Sequence, residues 1–180
     1  MKLIFAIALT LPALAHAVAP SPYAGQESRQ IKALSPSEQA DLLAGKGMGL
    51  AKAAELNGYP GPAHVLELAS QLGLSAEQLA TTRALFTSME QRAKELGRQL
   101  VAAEQSLDSL FASKQVTATQ LEESLAKIGD LQAKVRAAHL EAHLEQVRIL
   151  SAEQNANYSK LRGYSQGREV SEDHGHSHKH

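Results

Sequence analysis

Apolar residues recur in steps of three and four along most of this chain, and a repeated polar signal separates one periodic stretch from the next. Over 76–113, Leu79, Phe86, Met89, Ala93, Leu96, Leu100, Ala103, Leu107 and Leu110 form one stripe, with Thr82 filling a slot. Over 118–149 a second stripe runs through Leu121, Leu125, Ile128, Leu131, Val135, Ala138 and Ala142. Apolar positions at this spacing share one face of an α-helix and mark a seam against a partner. Only a few residues separate the stripes, so they predict two long helices packed as an antiparallel hairpin. No stretch carries a strand signal.

The polar signal is the capping box, an apolar residue, then Ser or Thr, then Glu or Gln three places on. It occurs as "LSPSE" at 34–38, "LSAEQ" at 74–78, "VTATQ" at 116–120 and "LSAEQ" again at 150–154. The hydroxyl accepts the amide of the third helical residue, whose side chain returns to the capping amide. Leu79 and Leu121 can staple back to Leu74 and Val116, whereas Gln39 and Asn155 leave the other two starts without a staple. The helices expected from these starts and stops are 36–57, interrupted by "GKGMG" at 45–49, then 63–72, 76–113, 118–149 and 152–161. The turn "YPGP" at 59–62 and Gly73 bound the second of them. Residues from 163 on are Gly, Ser, His and charge and read as disordered. The fold class is all-α, a long hairpin flanked by shorter helices.

The chain's beginning changes where this fold should reside. "MKLIFAIALTLPALAHA" has a basic start, an apolar run over 3–15 and small residues around position 17. That is the form of a secretory signal, and it is shorter than the roughly 20 residues of a membrane span. The organisation expected is a signal at 1–17, a linker at 18–33, a helical domain at 34–165 and a tail at 166–180. Losing Lys2 moves the net charge from −1 to −2, which gives no electrostatic footprint for nucleic acid. With 0 Cys, no disulfide braces the exported chain and no thiol can act as nucleophile or ligand. Aromatics make up only 4%, so a lone hairpin has little core of its own, and a second copy is expected to cover its seam.

Two motifs imitate chemistry. "GYSQG" at 163–167 fits the G-x-S-x-G pattern, but it follows a helix where an esterase needs a strand-to-helix elbow. "GKGMG" lacks the strand and the G-K-[ST] spacing of a phosphate loop.

The histidines carry a stronger signal. "HLEAH" places His139 and His143 four apart on one helix face, the spacing that lets two imidazoles reach one ion. A hairpin centred near 114–115 sets His143 level with Phe86 and His139 level with Glu90. The short helix before it folds back near residue 74 and brings His64 to the same layer. Glu67 and Glu90 are the nearby carboxylates that could complete a shell. In the tail "HGHSHKH", His174, His176, His178 and His180 alternate with small or charged residues, a pattern suited to loose capture of a divalent transition metal.

The paired "LSAEQ" segments, the long hairpin between them and the cysteine-free exported context resemble the periplasmic Spy/CpxP family, whose LTxxQ motif they match with Ser for Thr. The resemblance extends to that family's heavy-metal-sensing and zinc-resistance relatives and covers roughly residues 34–165. It implies a non-enzymatic, homodimeric, all-α periplasmic protein with one of two jobs. The first is binding a divalent transition metal (Zn, Ni, Co or Cu) and reporting it to a membrane stress or metal-response regulator. The second is acting as an ATP-independent chaperone for unfolded clients or as a modulator of a stress kinase. The nickel and cobalt sensors of this kind take ligands from a His-x-x-x-His and a late His-x-x-x-Met. Here "HVLEL" keeps the first histidine as His64, with Leu68 at the second place. "HLEAH" keeps His139 and has His143 where Met stands. The family's glutamate from the first long helix falls on Phe86.

Overall fold

In the computed structural model, which describes residues 21–164, all four capping boxes form both of their hydrogen bonds. They open α1 (Pro36–Leu43), α4 (Ala76–Ala112), α5 (Ala118–Ile149) and α6 (Ala152–Leu161). Two short helices, α2 (Lys52–Glu55) and α3 (Pro62–Glu67), complete the set of six, and no strand occurs among the described residues. α4 and α5 pack against each other as the main pair. Gln146 meets Thr82, Arg92 pairs with Glu141, and Leu100 and Ala103 share a core with Ile128 and Leu131. No helix among the described residues is long and apolar enough to cross a membrane.

The two starts without an apolar staple use amides instead. Gln39 donates to the carbonyl of Leu34 at 3.1 Å, and Asn155 donates to that of Val147 at 3.0 Å. The two "LSAEQ" copies meet. Gln78 donates to Oε1 of Gln154 at 2.8 Å, and Gln154 donates back to Oε1 of Gln78 at 3.0 Å. Each glutamine oxygen also accepts its own capping amide, from Ser75 and Ser151. Gln78 reaches the carbonyl of Ile149, and Gln154 that of Leu72. The start of α4, the end of α5 and the start of α6 are thereby tied at one junction.

Glycines set the packing at the other contacts. The expected helix 36–57 breaks after α1, because Gly45 (φ +67°) lies against α4. A Cβ there would stand 2.9 Å from the carbonyl oxygen of Glu90. Gly97 lets α1 approach α4 even more closely, since a Cβ there would stand 2.1 Å from the carbonyl oxygen of Leu42. The helix expected over 63–72 stops at Glu67, and the chain turns through Gly73 (φ +60°) while still burying Leu72.

Burial falls into two apolar clusters. One gathers Leu42, Leu100, Ala103, Ile128, Leu131 and Val135. The other gathers Val65, Leu72, Leu150 and Tyr158. Between them in sequence along α5 lie His139, His143 and Gln146, all buried. The stretch before α1 is anchored at its end. Ile31 is fully buried, and Lys32 pairs with Asp108 on α4 at 2.9 Å. At the other end, Gly163 and Tyr164 were expected in the disordered tail, but the Tyr164 hydroxyl donates to Glu55, which holds them on the helical body. The expected signal at 1–17 and the expected tail at 166–180 lie outside the described residues.

Candidate functional site

α5 carries His139 and His143 on the face it turns inward, one helical turn apart. α3 starts at Pro62, directly after the turn 59–61, and carries His64 in its first turn. With α4 they border a half-open cavity of about 280 Å³ whose lining includes His64, Phe86, Met89, Glu90, His139 and His143. The structure thus brings together four of the residues singled out in the sequence, His64, Glu90, His139 and His143. Glu67 is exposed and does not line the cavity, although its carboxylate accepts from Nδ1 of His64 at 2.9 Å. Glu90 is paired with Lys94 at 3.0 Å. His174, His176, His178 and His180 lie outside the described residues. Two larger hollows, one at the Gln78–Gln154 junction and one beside Leu100 and Met48, contain no histidine.

The imidazoles are oriented by their other partners. Nδ1 of His143 lies 2.7 Å from the carbonyl oxygen of Tyr59. A carbonyl only accepts, so Nδ1 carries the hydrogen, and Nε2 holds the lone pair in the neutral ring. The Cε1–Nε2 edge of that ring lies against Gly61, where a Cβ would come within 2.9 Å of Cε1 and 3.2 Å of Nε2. Only glycine leaves that edge uncovered on the cavity side. His64 likewise commits Nδ1, to Glu67. Nε2 of His139 is buried and has no hydrogen-bond partner. Burial, with a smaller contribution from the neighbouring His143, lowers the pKa of His139 and favours the neutral form that can ligate. Two turns further along α5, Gln146 is fully buried and donates to Thr82 at 3.2 Å, leaving its own Oε1 without a partner.

Among the described residues, no group of three or more His, Asp or Glu side chains stands in an arrangement that would hold a metal ion as it is. The donor set nonetheless suits a borderline transition metal. It offers imidazole nitrogens, one thioether and one carboxylate around a single cavity.

Comparison of the chain with protein-family models, curated proteins and solved structures gives no match. The likeness to the Spy/CpxP family therefore rests on the motifs in the sequence.

Sequence reading missed Glu55. Its carboxylate is mostly buried, 3.8 Å from Nδ1 of His143, and bonded to Tyr158, Arg162 and Tyr164. Nothing in a four-residue helix between glycine-containing turns flags such a residue. The available hint lay at the other end, where Tyr158 is the one aromatic of an otherwise polar α6.

Proposed function

We propose that this protein is a non-enzymatic, periplasmic binder of divalent transition metal, of the Spy/CpxP-related metal-resistance kind. One observation carries the reading. Three histidines from two helices line one cavity, and among the described residues none of their Nε2 atoms is engaged in a hydrogen bond. Of the three, Nε2 of His139 is the buried one, and a buried nitrogen without a partner is costly unless something fills the role. Nε2 of His139 and of His143 would form the primary pair, with His64 joining as it turns from Glu67. Met89 or Glu90 would complete the shell, and the choice between them would bias the site toward softer or harder ions. The tail histidines would act as a capture arm. The descending order of contacts between α4 and α5 supports an antiparallel hairpin, and a homodimer would cover its less buried end. The partner would be a membrane stress or metal-response regulator.

Calorimetry with Ni²⁺, Zn²⁺, Co²⁺ and Cu²⁺ tests the site in full-length protein whose His174, His176, His178 and His180 are changed to Ala. One tight site is expected, lost to weak residual binding in His139→Ala or His143→Ala and weakened in His64→Ala. Binding should fade as pH falls through about 6 to 5, where protons compete for imidazole. Affinity no tighter than about millimolar, near −4 kcal/mol, would exclude the reading. The alternative, a chaperone for unfolded clients, is favoured by one feature, the exposure of Phe111 and Leu125 near the connection between the long helices.

A further inference from the structure

Glu55 treats its two carboxylate oxygens unequally. Oε1 accepts from three donors, the Tyr158 hydroxyl at 2.6 Å, the Tyr164 hydroxyl at 3.0 Å and Nε of Arg162 at 3.2 Å. Burial, and then the bond to Glu55, push the titration of the Tyr158 hydroxyl far above its ordinary range, so it remains a donor. Oε2 is buried and accepts from none. It lies 3.8 Å from Nδ1 of His143, the nitrogen whose hydrogen goes to the carbonyl of Tyr59. Of the two ring nitrogens Nδ1 is the nearer to Glu55, and Gly61, which lines the cavity, touches both the Cε1–Nε2 edge and Oε2, since a Cβ there would stand 3.5 Å from Oε2.

A buried oxygen with both lone pairs unmet is unfavourable in the metal-free protein. The penalty shrinks if the imidazole beside it gains positive character, as it does when its far nitrogen donates to a cation. The Tyr59 carbonyl fixes the ring, and the carboxylate behind it acts through space, favouring the positive charge that the imidazole takes on when it ligates. Arg162 and the two hydroxyls hold Oε1, so Oε2 cannot swing away to find another partner.

We propose that Glu55 is the positioning residue of the cavity, setting the affinity of His143 for metal from the Nδ1 side while α6 holds the carboxylate in place. The inference rests on the reading that the cavity binds a metal ion. It makes α6, which contributes no ligand, part of the site's affinity.

The test is Zn²⁺ titration of the full-length protein carrying the four tail substitutions. Glu55→Gln keeps the size and the Oε1 acceptor but removes the charge. It should weaken binding several-fold, up to about 10-fold, the through-space part of such an effect. In a His143→Ala background it should leave the residual binding unchanged, and in a His64→Ala background it should weaken binding by the same factor as before. A residue with a merely structural role would act equally in both backgrounds. Tyr158→Phe, which removes one of the three donors, should weaken Zn²⁺ binding several-fold with the same dependence on His143. It decides the matter if Glu55→Gln does not fold. Equal affinity of parent and variant, or equal loss with and without His143, would overturn the role of Glu55 while leaving the site standing. No binding by the parent chain of Zn²⁺, or of Ni²⁺, Co²⁺ or Cu²⁺ titrated in its place, would instead overturn the site and this inference together.

Discussion

The two ends of the long helix pair carry the same apolar stripe and are buried very differently. Every fully buried residue of α4 lies between Thr82 and Glu104, and every one of α5 between Ile128 and Gln146. Toward the connection at 113–117 the stripe continues through Leu107, Leu110, Leu121 and Leu125, yet none of these is fully buried, and Leu125 is 51% exposed. What changes is the company. At the buried end α1 lies on Gly97 through Leu42, α3 brings Val65, and α6 brings Tyr158. The last anchor toward the connection is Lys32 on Asp108. Two helices alone leave a large part of each apolar face at the rim of their contact, so a third element is needed to bury it.

The largest effect should come from opposite leucines of one helix. Leu131→Ala at the buried end should cost about 2–5 kcal/mol, whereas Leu125→Ala should cost less than about 0.5 kcal/mol. Urea unfolding measures both. If Leu125→Ala costs as much as Leu131→Ala, and the cost grows with protein concentration, a second copy covers the connecting end and the contrast belongs to the monomer alone. Two helical glycines sharpen the point. Gly97→Ala would drive a Cβ into the backbone of α1 and should destabilise by about 1–3 kcal/mol. Gly129→Ala meets nothing within 4 Å and should stabilise by about 0.5–1 kcal/mol, the helix preference of alanine over glycine.

The smallest effect tests the boundary between the two regions. Glu104 is the last buried residue of α4, and burial raises its carboxyl pKa above the ordinary value. Its contribution is therefore complete below the unfolded value and lost as pH rises through the folded one. Glu104→Gln should raise the melting temperature at pH 7, by less than about 1 kcal/mol of stability, and give no gain near pH 4. Equal gains at both values would mean that the carboxyl is effectively in water.

Most of this architecture was legible because it is written locally. A capping box needs only four residues, and all four formed, so α5 and α6 begin and end where the sequence placed them. The layer of histidines was legible because register along two long helices is arithmetic: it set His143 level with Phe86 and His139 level with Glu90, the fold-back near residue 74 added His64, and all five line one cavity. The short helices were less so. Their ends are set by contacts with α4, as at Gly45, rather than by their own residues. Gly97 could have been read as a close approach, being a lone glycine inside an apolar stripe. Glu55 could not, because its partners lie 103 to 109 residues away and follow no period.

The junction of the two "LSAEQ" copies has a consequence for how this sequence can drift. Each glutamine gives a hydrogen to the other while its own oxygen receives two. A primary amide can do both at once, and a carboxylate cannot. Glu at either place would turn a bare oxygen toward the carbonyl of Ile149 or of Leu72, where a hydrogen now stands. Neither position can change to the other common capping residue without spoiling its counterpart 76 residues away. The glutamine shared by the two segments is thus kept by each copy's demand on the other, and a viable replacement would have to arrive at both positions together.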